Sequence, residues 1–210
     1  MNTLIQTLGL GLGAAWTSGI RLYVTIAVLG LLEHYHLTHL PGRLHVLGNW
    51  IIIGVALFLV LMEFVADKIP YVDSVWDAVH TFIRVPAGAV IAASSVSDFN
   101  PTLQMVALLL GGGLALSSHG TKATLRAAAN VSPEPVTNWT VSILEDIFAI
   151  GAAALSVLYP LGILAVILVF LLLLAWILPR VVRRIRRMIQ TVRAFFRRLS
   201  HQNLTRQSIS

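Results

Sequence analysis

An arginine lies near the middle of the first long apolar run, where hydrocarbon is expected on all sides. Arg21 belongs to the stretch AAWTSGIRLYVTIAVLG, residues 14–30. A charge inside a bilayer is costly, so it needs a buried partner, a water-filled cavity or a function. Gly19 and the glycines before it would let the helix break and expose backbone N–H groups beside this fixed cation. These residue types predict an anion-binding site at the break.

The second half of the chain contains a counterpart of this stretch. A shift of 101 residues lays GLGAAWTSGIRLYVTIA, from Gly11, over GGLALSSHGTKATLRAA, from Gly112. It pairs Arg21 with Lys122, and two cations at related positions could hold one phosphate or carboxylate. Chance similarity is the alternative, because glycine is common in membrane helices. The predicted substrate-binding residues are Arg21, Lys122, Ser18, Gly19, Ser118, Gly120 and Thr121.

Acidic residues that could neutralise these cations fall in two segments. Glu63 and Asp67 are one helical turn apart in LMEFVADKIP, and Glu145 and Asp146 lie early in the predicted fifth span. A carboxylate inside a membrane can exchange protons, so these four acids are predicted to balance charge or to couple transport to a proton gradient. The alternative to an anion site is that Arg21 pairs with a buried acid, namely Glu63, Glu145 or Asp146. The anion site and the ion pair are compatible if a substrate displaces the acid from Arg21.

Two further groups have residue types that bind metals. Asp73, Asp77 and His80 would share helix faces, but a solvated salt-bridge network is the favoured interpretation. The segment EHYHLTHLPGRLH carries four histidines, of which His34 and His36 would lie on one face of a strand. Cysteine is absent from the sequence, and no metal site is predicted.

Enzyme signatures are missing from the sequence. It has no G-x-S-x-G, no H-E-x-x-H, no G-x-x-x-x-G-K-[ST] and no G-x-G-x-x-G. We therefore predict no catalytic residue and no cofactor, and we do not expect an enzyme.

The composition indicates the class of protein. Hydrophobic residues make up 57% of the 210 residues, charged residues 11%, and the mean hydropathy is +0.81. About six apolar runs recur, and a bilayer crossing takes about 20 helical residues. The expected fold is an all-α polytopic membrane domain over 1–178, with two inverted three-span repeats at about 4–98 and 103–178. Broken or re-entrant helices are allowed at the shorter runs, and Pro70 and Pro86 are expected to end helices.

The positive charge is concentrated at the end of the chain. Nine of the fifteen basic residues follow position 179, and the rest of the chain has a net charge of −3. Arginines alternate with apolar residues at helical spacing, which predicts a basic amphipathic helix over 179–200 that lies on anionic lipid. Residues 201–210 are expected to be a disordered tail. Nucleic acid is not expected as a partner, and a homo-oligomer is compatible with the sequence.

The distribution of basic residues also predicts the orientation. The positive-inside rule places the C-terminal arginines in the cytoplasm, and six spans then place the N-terminus there too. The remaining loop charges agree, since this assignment leaves only Arg43 outside and puts inside Lys68, Arg84, Lys122 and Arg126.

Three motifs together resemble a known family. They are GLGAAWTSGIRLYVTIAVLGLL, DKIPYVDSVWDAVHTFIRVPAGA and LALSSHGTKATLRAAANVSPEPVTNWTVSILED. Over about residues 5–175 the chain resembles a bacterial family of small inner-membrane proteins described as a domain of unknown function, number four-one-two-six. The resemblance implies a multi-span protein of the bacterial inner membrane and no particular activity.

Three functions are therefore considered. The leading hypothesis is a secondary transporter or lipid-headgroup translocator for an anionic substrate, with possible proton coupling. The second is a non-transporting structural or regulatory subunit whose basic tail engages lipid or a partner. The third is a membrane enzyme that acts on a lipid phosphate.

Overall fold

The protein is built from helices connected by short loops. The computed structural model describes residues 2–129 and 135–207, and within these ranges it contains no β-strand. The all-α prediction is confirmed, whereas the strand expected around His34 is wrong, because His34 is the last residue of a helix. The elements are α1 (Asn2–Ile20), α2 (Leu22–His34), a 3-10 helix (Gly42–Gly48), α3 (Trp50–Ala66), α4 (Pro70–Ser95), α5 (Pro101–Ala129), α6 (Pro135–Leu158) and α7 (Pro160–Gln207).

Several helices are long and apolar enough to cross a membrane. In the described part of the chain these are Pro101–Ala127, Trp139–Leu158 and Pro160–Arg183. The 3-10 helix and α3 together form a fourth candidate, bent by 73° at Asn49. Leucine, isoleucine and phenylalanine side chains are exposed along α3, α6 and α7, as expected of surfaces that face lipid. The chain is a membrane protein.

Proline and asparagine residues set where the helices begin. Proline is the first residue of α4, α5, α6 and α7, a position where its missing N–H costs nothing. Asn49 Oδ1 accepts from the Ile51 N–H at the start of α3, and Asn100 Oδ1 accepts from the Leu103 N–H at the start of α5. Pro70 therefore begins a helix that it was expected to end. Pro86 lies inside α4, so the helix end predicted there is also wrong.

The first apolar run is a broken helix. Arg21 alone separates α1 from α2, and its backbone is not helical, with φ −142° and ψ 87°. Hydroxyl groups satisfy carbonyls on both sides of this break, since Thr17 Oγ1 donates to the Gly13 oxygen and Thr25 Oγ1 donates to the Arg21 oxygen. Such back-bonding bends helices. The predicted break is confirmed, and it places an arginine at the N-cap of α2.

Helices α1, α4 and α5 form the tightest part of the fold, because small residues line their contacts. A Cβ added to Gly111 would meet the Ala92 side chain and, at 2.7 Å, the Gly88 carbonyl oxygen. A Cβ added to Gly88 would approach the Ala15 carbonyl oxygen to 3.2 Å. Small residues let membrane helices approach closely and gain van der Waals contact. The three backbones are thereby held close together around the polar side chains described below.

The C-terminal part of the chain is a separate compact unit. Residue contacts divide the chain into units at 1–167 and 168–210, and α7 extends to Gln207. Residues 201–207, predicted as disordered, are helical, and 208–210 lie outside the described residues. Within this unit Arg180 is exposed and donates to the Trp176 carbonyl, and Arg183 donates to the Pro179 carbonyl at 3.1 Å.

We expect that filling the contact at Gly111 destabilises the fold. Gly111→Leu should lower the free energy of unfolding by about 1–3 kcal/mol, the usual cost of overpacking. Gly113→Leu is the matched control, because nothing lies within 4 Å of a Cβ built at Gly113. Unfolding in mixed micelles measures both variants. Equal stability of the two would contradict the close approach of α4 and α5.

Candidate functional site

Charged side chains from the four helices α3 to α6 and from the α1–α2 junction meet in one buried cluster. We call it the ion-pair network. Among the described residues it contains four cations and five carboxylates, joined by ion pairs within 4 Å: Arg21, Arg84, Lys122, Arg126, Glu63, Asp67, Asp77, Glu145 and Asp146. The formal charge of these nine side chains is −1. Buried charges are stable only when paired and hydrogen-bonded, so these groups hold one another in place.

Arg21 is the most highly connected cation of the ion-pair network. Its side chain is 1% exposed and forms ion pairs with Asp67, with Asp146 through Nε at 3.0 Å, and with both glutamates named above. Its Nη2 atom also donates to the Ser142 hydroxyl at 3.0 Å. The predicted pairing of Arg21 with buried acids is confirmed. Because Arg21 sits at the helix break, its guanidinium links α1 and α2 to α3 and α6.

Two glutamates bridge Arg21 and Lys122. Glu63 Oε1 lies 3.2 Å from Arg21 Nη1 and 3.6 Å from Lys122 Nζ. Glu145 Oε2 lies 3.2 Å from Arg21 Nη2 and 3.6 Å from Lys122 Nζ. The two cations thus face a common pair of carboxylates, one from α3 and one from α6.

Each bridging glutamate also pairs with a third cation. Glu63 Oε1 accepts from Arg84 Nη2 in a short contact. Glu145 forms two hydrogen bonds with Arg126, at 3.0 Å to Nε and 2.8 Å to Nη2. Two parallel N–H···O bonds are the strongest arrangement of an arginine and a carboxylate. Each glutamate could therefore leave the Arg21–Lys122 pair and still have a cationic partner.

Lys122 joins the ion-pair network to the helix break. Its ammonium donates to the carbonyl oxygen of Ile20, the last residue of α1, at 3.2 Å. A cation at a helix C-terminus compensates the exposed carbonyls and the negative end of the dipole. Lys122 also lies 3.4 Å from Asp77 Oδ1. The equivalent stretch of α5 is not broken, since α5 runs through Lys122 as continuous helix.

The other predicted binding residues are not part of the ion-pair network. Ser118 Oγ donates to the Trp16 carbonyl at 2.6 Å, and Gly19 lies so close to Ser118 and the Ala115 carbonyl that a Cβ would collide with them. These residues position α1 against α5. The hydroxyls of Ser18 and Thr121 donate to carbonyls of their own helices. Gly120 is exposed, and a Cβ there would meet nothing within 4 Å.

The sequence interpretation missed two of the four cations. Arg84 and Arg126 were assigned to cytoplasmic loops, but both lie inside helices and are 0% and 2% exposed. Asp77 is 5% exposed, so the solvated salt-bridge network expected around it is also wrong. Helical spacing in the sequence could have indicated both residues. Arg84 follows Asp77 by two turns, and Arg126 follows Lys122 by one turn, so each pair shares a helix face.

Two histidines border the ion-pair network. His119 Nδ1 lies 3.1 Å from Arg84 Nη1, and its Nε2 lies 2.7 Å from the Thr81 hydroxyl. His80 Nε2 lies 3.0 Å from the Tyr23 hydroxyl. Both imidazoles are buried. Of the two, His119 contacts Arg84 directly.

His34 and His45 contact backbone carbonyls of the 3-10 helix. His34 Nδ1 contacts the Gly48 carbonyl at 2.9 Å, and His45 Nδ1 contacts the Gly42 carbonyl at 2.7 Å. Among the described residues, no group of three or more histidine, cysteine, aspartate or glutamate side chains is arranged to hold a metal ion. The Asp73 side chain is outside the described part.

The fold and the site define an all-helical membrane protein with a buried network of charges. Residues 8–180 match the family described as Domain of unknown function (DUF4126), and the chain belongs to this family. No curated protein and no solved structure matches the chain. The family assignment confirms the resemblance drawn from the sequence motifs.

We expect that removing Arg21 destabilises the protein strongly. Arg21→Met removes a buried cation that forms ion pairs with four carboxylates, and breaking a buried ion pair typically costs about 3–5 kcal/mol. The exposed Arg43 provides the matched control, and Arg43→Met should change stability by less than about 0.5 kcal/mol. Adding Asp67→Asn to Arg21→Met should recover part of the loss. Unfolding in mixed micelles gives these values, and equal effects at positions 21 and 43 would contradict the pairing.

Proposed function

We propose that the protein is a secondary transporter or lipid-headgroup translocator for a small anionic substrate. Arg21 and Lys122 are the substrate-binding cations in this proposal. The observation that carries it is that Glu63 and Glu145 each bridge these two cations. A substrate carboxylate or phosphate offers the same kind of acceptor oxygen, so it can replace an internal carboxylate with little change in charge or hydrogen bonding.

Replacement of an internal carboxylate by a substrate costs little free energy, because each glutamate has a further cationic partner. A buried carboxylate that loses all its cations would cost several kcal/mol. When a substrate takes Arg21 and Lys122, Glu63 keeps Arg84 and Glu145 keeps Arg126. Each displaced acid therefore stays paired. In this proposal the charges of α3 and α6 separate from the α1–α2 junction as the substrate binds.

Two inverted halves of three spans each complete the proposal. Six membrane segments result if α1 and α2 form one broken span, the 3-10 helix and α3 form one bent span, and α4 to α7 each form one. Broken helices from both repeats commonly form the binding site of secondary transporters near the middle of the membrane. The break at Arg21 provides such a feature in the first half.

We place the protein in a bacterial inner membrane with both termini in the cytoplasm. Arg84, Lys122 and Arg126 are buried in ion pairs and do not act as loop charges. The orientation therefore depends on the C-terminal arginines, which the positive-inside rule retains in the cytoplasm.

Flux into proteoliposomes tests the transport proposal. We expect the wild-type protein to move radiolabelled phosphate or succinate, or a headgroup-labelled phospholipid, faster than protein-free vesicles. Phosphate or succinate flux would indicate a soluble substrate, and phospholipid movement would indicate a lipid headgroup. Lys122→Gln should reduce flux about tenfold or more, since it removes a charge-assisted contact worth about 1.5–3 kcal/mol. Arg43→Gln should leave it unchanged.

The charge-neutral double variant Arg21→Gln, Asp67→Asn separates loss of binding from loss of folding. It should remain folded and yet be inactive, because it lacks one substrate-binding cation. Wild-type flux no greater than that of empty vesicles, or full flux in Lys122→Gln, would overturn the proposal. Loss of function on deletion of residues 180–210 alone would instead support a non-transporting subunit whose exposed arginines bind lipid.

Single cysteines test the orientation, since the natural sequence contains none. In intact cells or inverted vesicles, Thr3→Cys and Gln190→Cys should be labelled from the cytoplasmic side, and Arg43→Cys from the opposite side. The wild-type protein is the unlabelled control. Opposite accessibility of positions 3 and 190 would rule out an even number of spans.

A further inference from the structure

The hydrogen bonds of His119 determine which of its nitrogen atoms carries a proton. Arg84 Nη1 can only donate, so His119 Nδ1, 3.1 Å away, must be an unprotonated acceptor. The Thr81 hydroxyl gives its hydrogen to the Asp77 carbonyl at 3.0 Å. His119 Nε2 therefore donates to Thr81 Oγ1 at 2.7 Å. His119 is a neutral imidazole with its free lone pair directed at an arginine.

His80 is also neutral, but its surroundings differ. Its Nδ1 lies 2.8 Å from the Trp76 carbonyl, which only accepts, so Nδ1 carries the hydrogen. Its Nε2 then accepts from the Tyr23 hydroxyl. If His80 gains a proton at Nε2, the Tyr23 hydroxyl can rotate and become the acceptor. Protonation of His80 therefore requires no change in the ion-pair network.

Protonation of His119 has a different consequence. A hydrogen on Nδ1 would point at an N–H of Arg84, and two cations would lie about 3 Å apart, so they repel. Arg84 Nη1 also binds Asp77 at 3.0 Å, and Nη2 binds Glu63. A proton on His119 therefore acts on the cation that keeps Glu63 paired when a substrate arrives. The proton on His119 places a second positive charge next to Arg84.

The groups that face His119 define how a proton would be stabilised. Arg84, Asp77 and Thr81 face it from α4, Lys122 faces it from its own helix, and the Gly19 carbonyl faces it from α1. Asp77 is the one carboxylate in this set, and it is shared by Arg84 and Lys122. When a substrate draws Lys122 away, Asp77 loses a cation. A protonated His119 replaces that lost charge.

We propose that the coupling ion is a proton and that His119 Nδ1 takes it up as the anion binds. The proposal rests on the transport function proposed above and names the ion of that same site. The described members of the ion-pair network have a summed formal charge of −1, and uptake of one proton with each monovalent anion leaves that sum unchanged. Constant charge avoids the cost of an uncompensated charge in a dry site. His80 takes no part in coupling.

Nitrogen NMR of the full-length protein in lipid nanodiscs, with labelled histidine and arginine, tests the proton site without any substrate. We expect His119 to be the neutral Nε2–H tautomer at neutral pH. As the pH falls it should become an imidazolium, and the Arg84 guanidinium signals should shift with the same midpoint. His119→Gln identifies the signal. A His119 that stays neutral until the protein unfolds, or that titrates while Arg84 is unchanged, overturns the proposal even if transport is observed.

Flux measurements give the second test. Glutamine provides one acceptor and one donor but cannot become a cation, so His119→Gln should stay folded. Equilibrium exchange of radiolabelled phosphate or succinate should fall below that of wild type, because the charge of the bound anion is left uncompensated. Acceleration by a proton gradient that is acidic on the side of substrate uptake should disappear. His80→Gln is the matched control and should keep that acceleration.

The outcomes distinguish this inference from the proposed function. Unaltered acceleration in His119→Gln would overturn the assignment of the proton site while leaving the transporter proposal intact. Absence of exchange in the wild-type protein would overturn the transporter, whereas the coupled titration of His119 and Arg84 would still stand on the NMR result.

Discussion

Charge balance in a dry environment is the constraint on which this fold depends. In the described part of the chain, five carboxylates and four cations lie within a helical body that faces lipid, and most of them are shared by two or more partners of opposite charge. The ion pairs tie each of the helices α1 to α6 to at least one other. Small residues allow α1, α4 and α5 to approach closely, and the ion pairs act together with buried hydrophobic clusters to fix the helices relative to one another.

Much of the site could be predicted because intramembrane charges are rare and conspicuous. Arg21, Lys122, Glu63 and Glu145 stand out in apolar segments, and the structure brings them together. The helix break was predictable from Gly19 and its neighbours. The three acids proposed as partners of Arg21 all form ion pairs with it, since a buried cation has few alternatives.

The incorrect predictions concern residues whose types are compatible with two different structural roles. The stretch of α4 that holds Asp77 and Arg84 is too polar to count as a span by hydropathy, so it was assigned to a loop. Its charges are instead neutralised within the protein, which a window average cannot reveal. Glycine was the other source of error. Gly19 and Gly120 align in the sequence, yet Gly19 makes a helix contact and Gly120 is exposed. Only the packing of the helices decides between those roles.

The single residue between α1 and α2 has a consequence for how the chain could respond to an anion. The Lys122 ammonium takes the place of a peptide N–H at the Ile20 carbonyl. An anion that draws this ammonium away leaves the carbonyl bare in a medium without water, and the nearest replacement is an N–H from the following turn. In the proposed transporter, occupancy of the site and winding of the first helix through Arg21 are thus linked through one acceptor, the Ile20 carbonyl. Lys122 would therefore couple anion binding to the backbone conformation at the helix break.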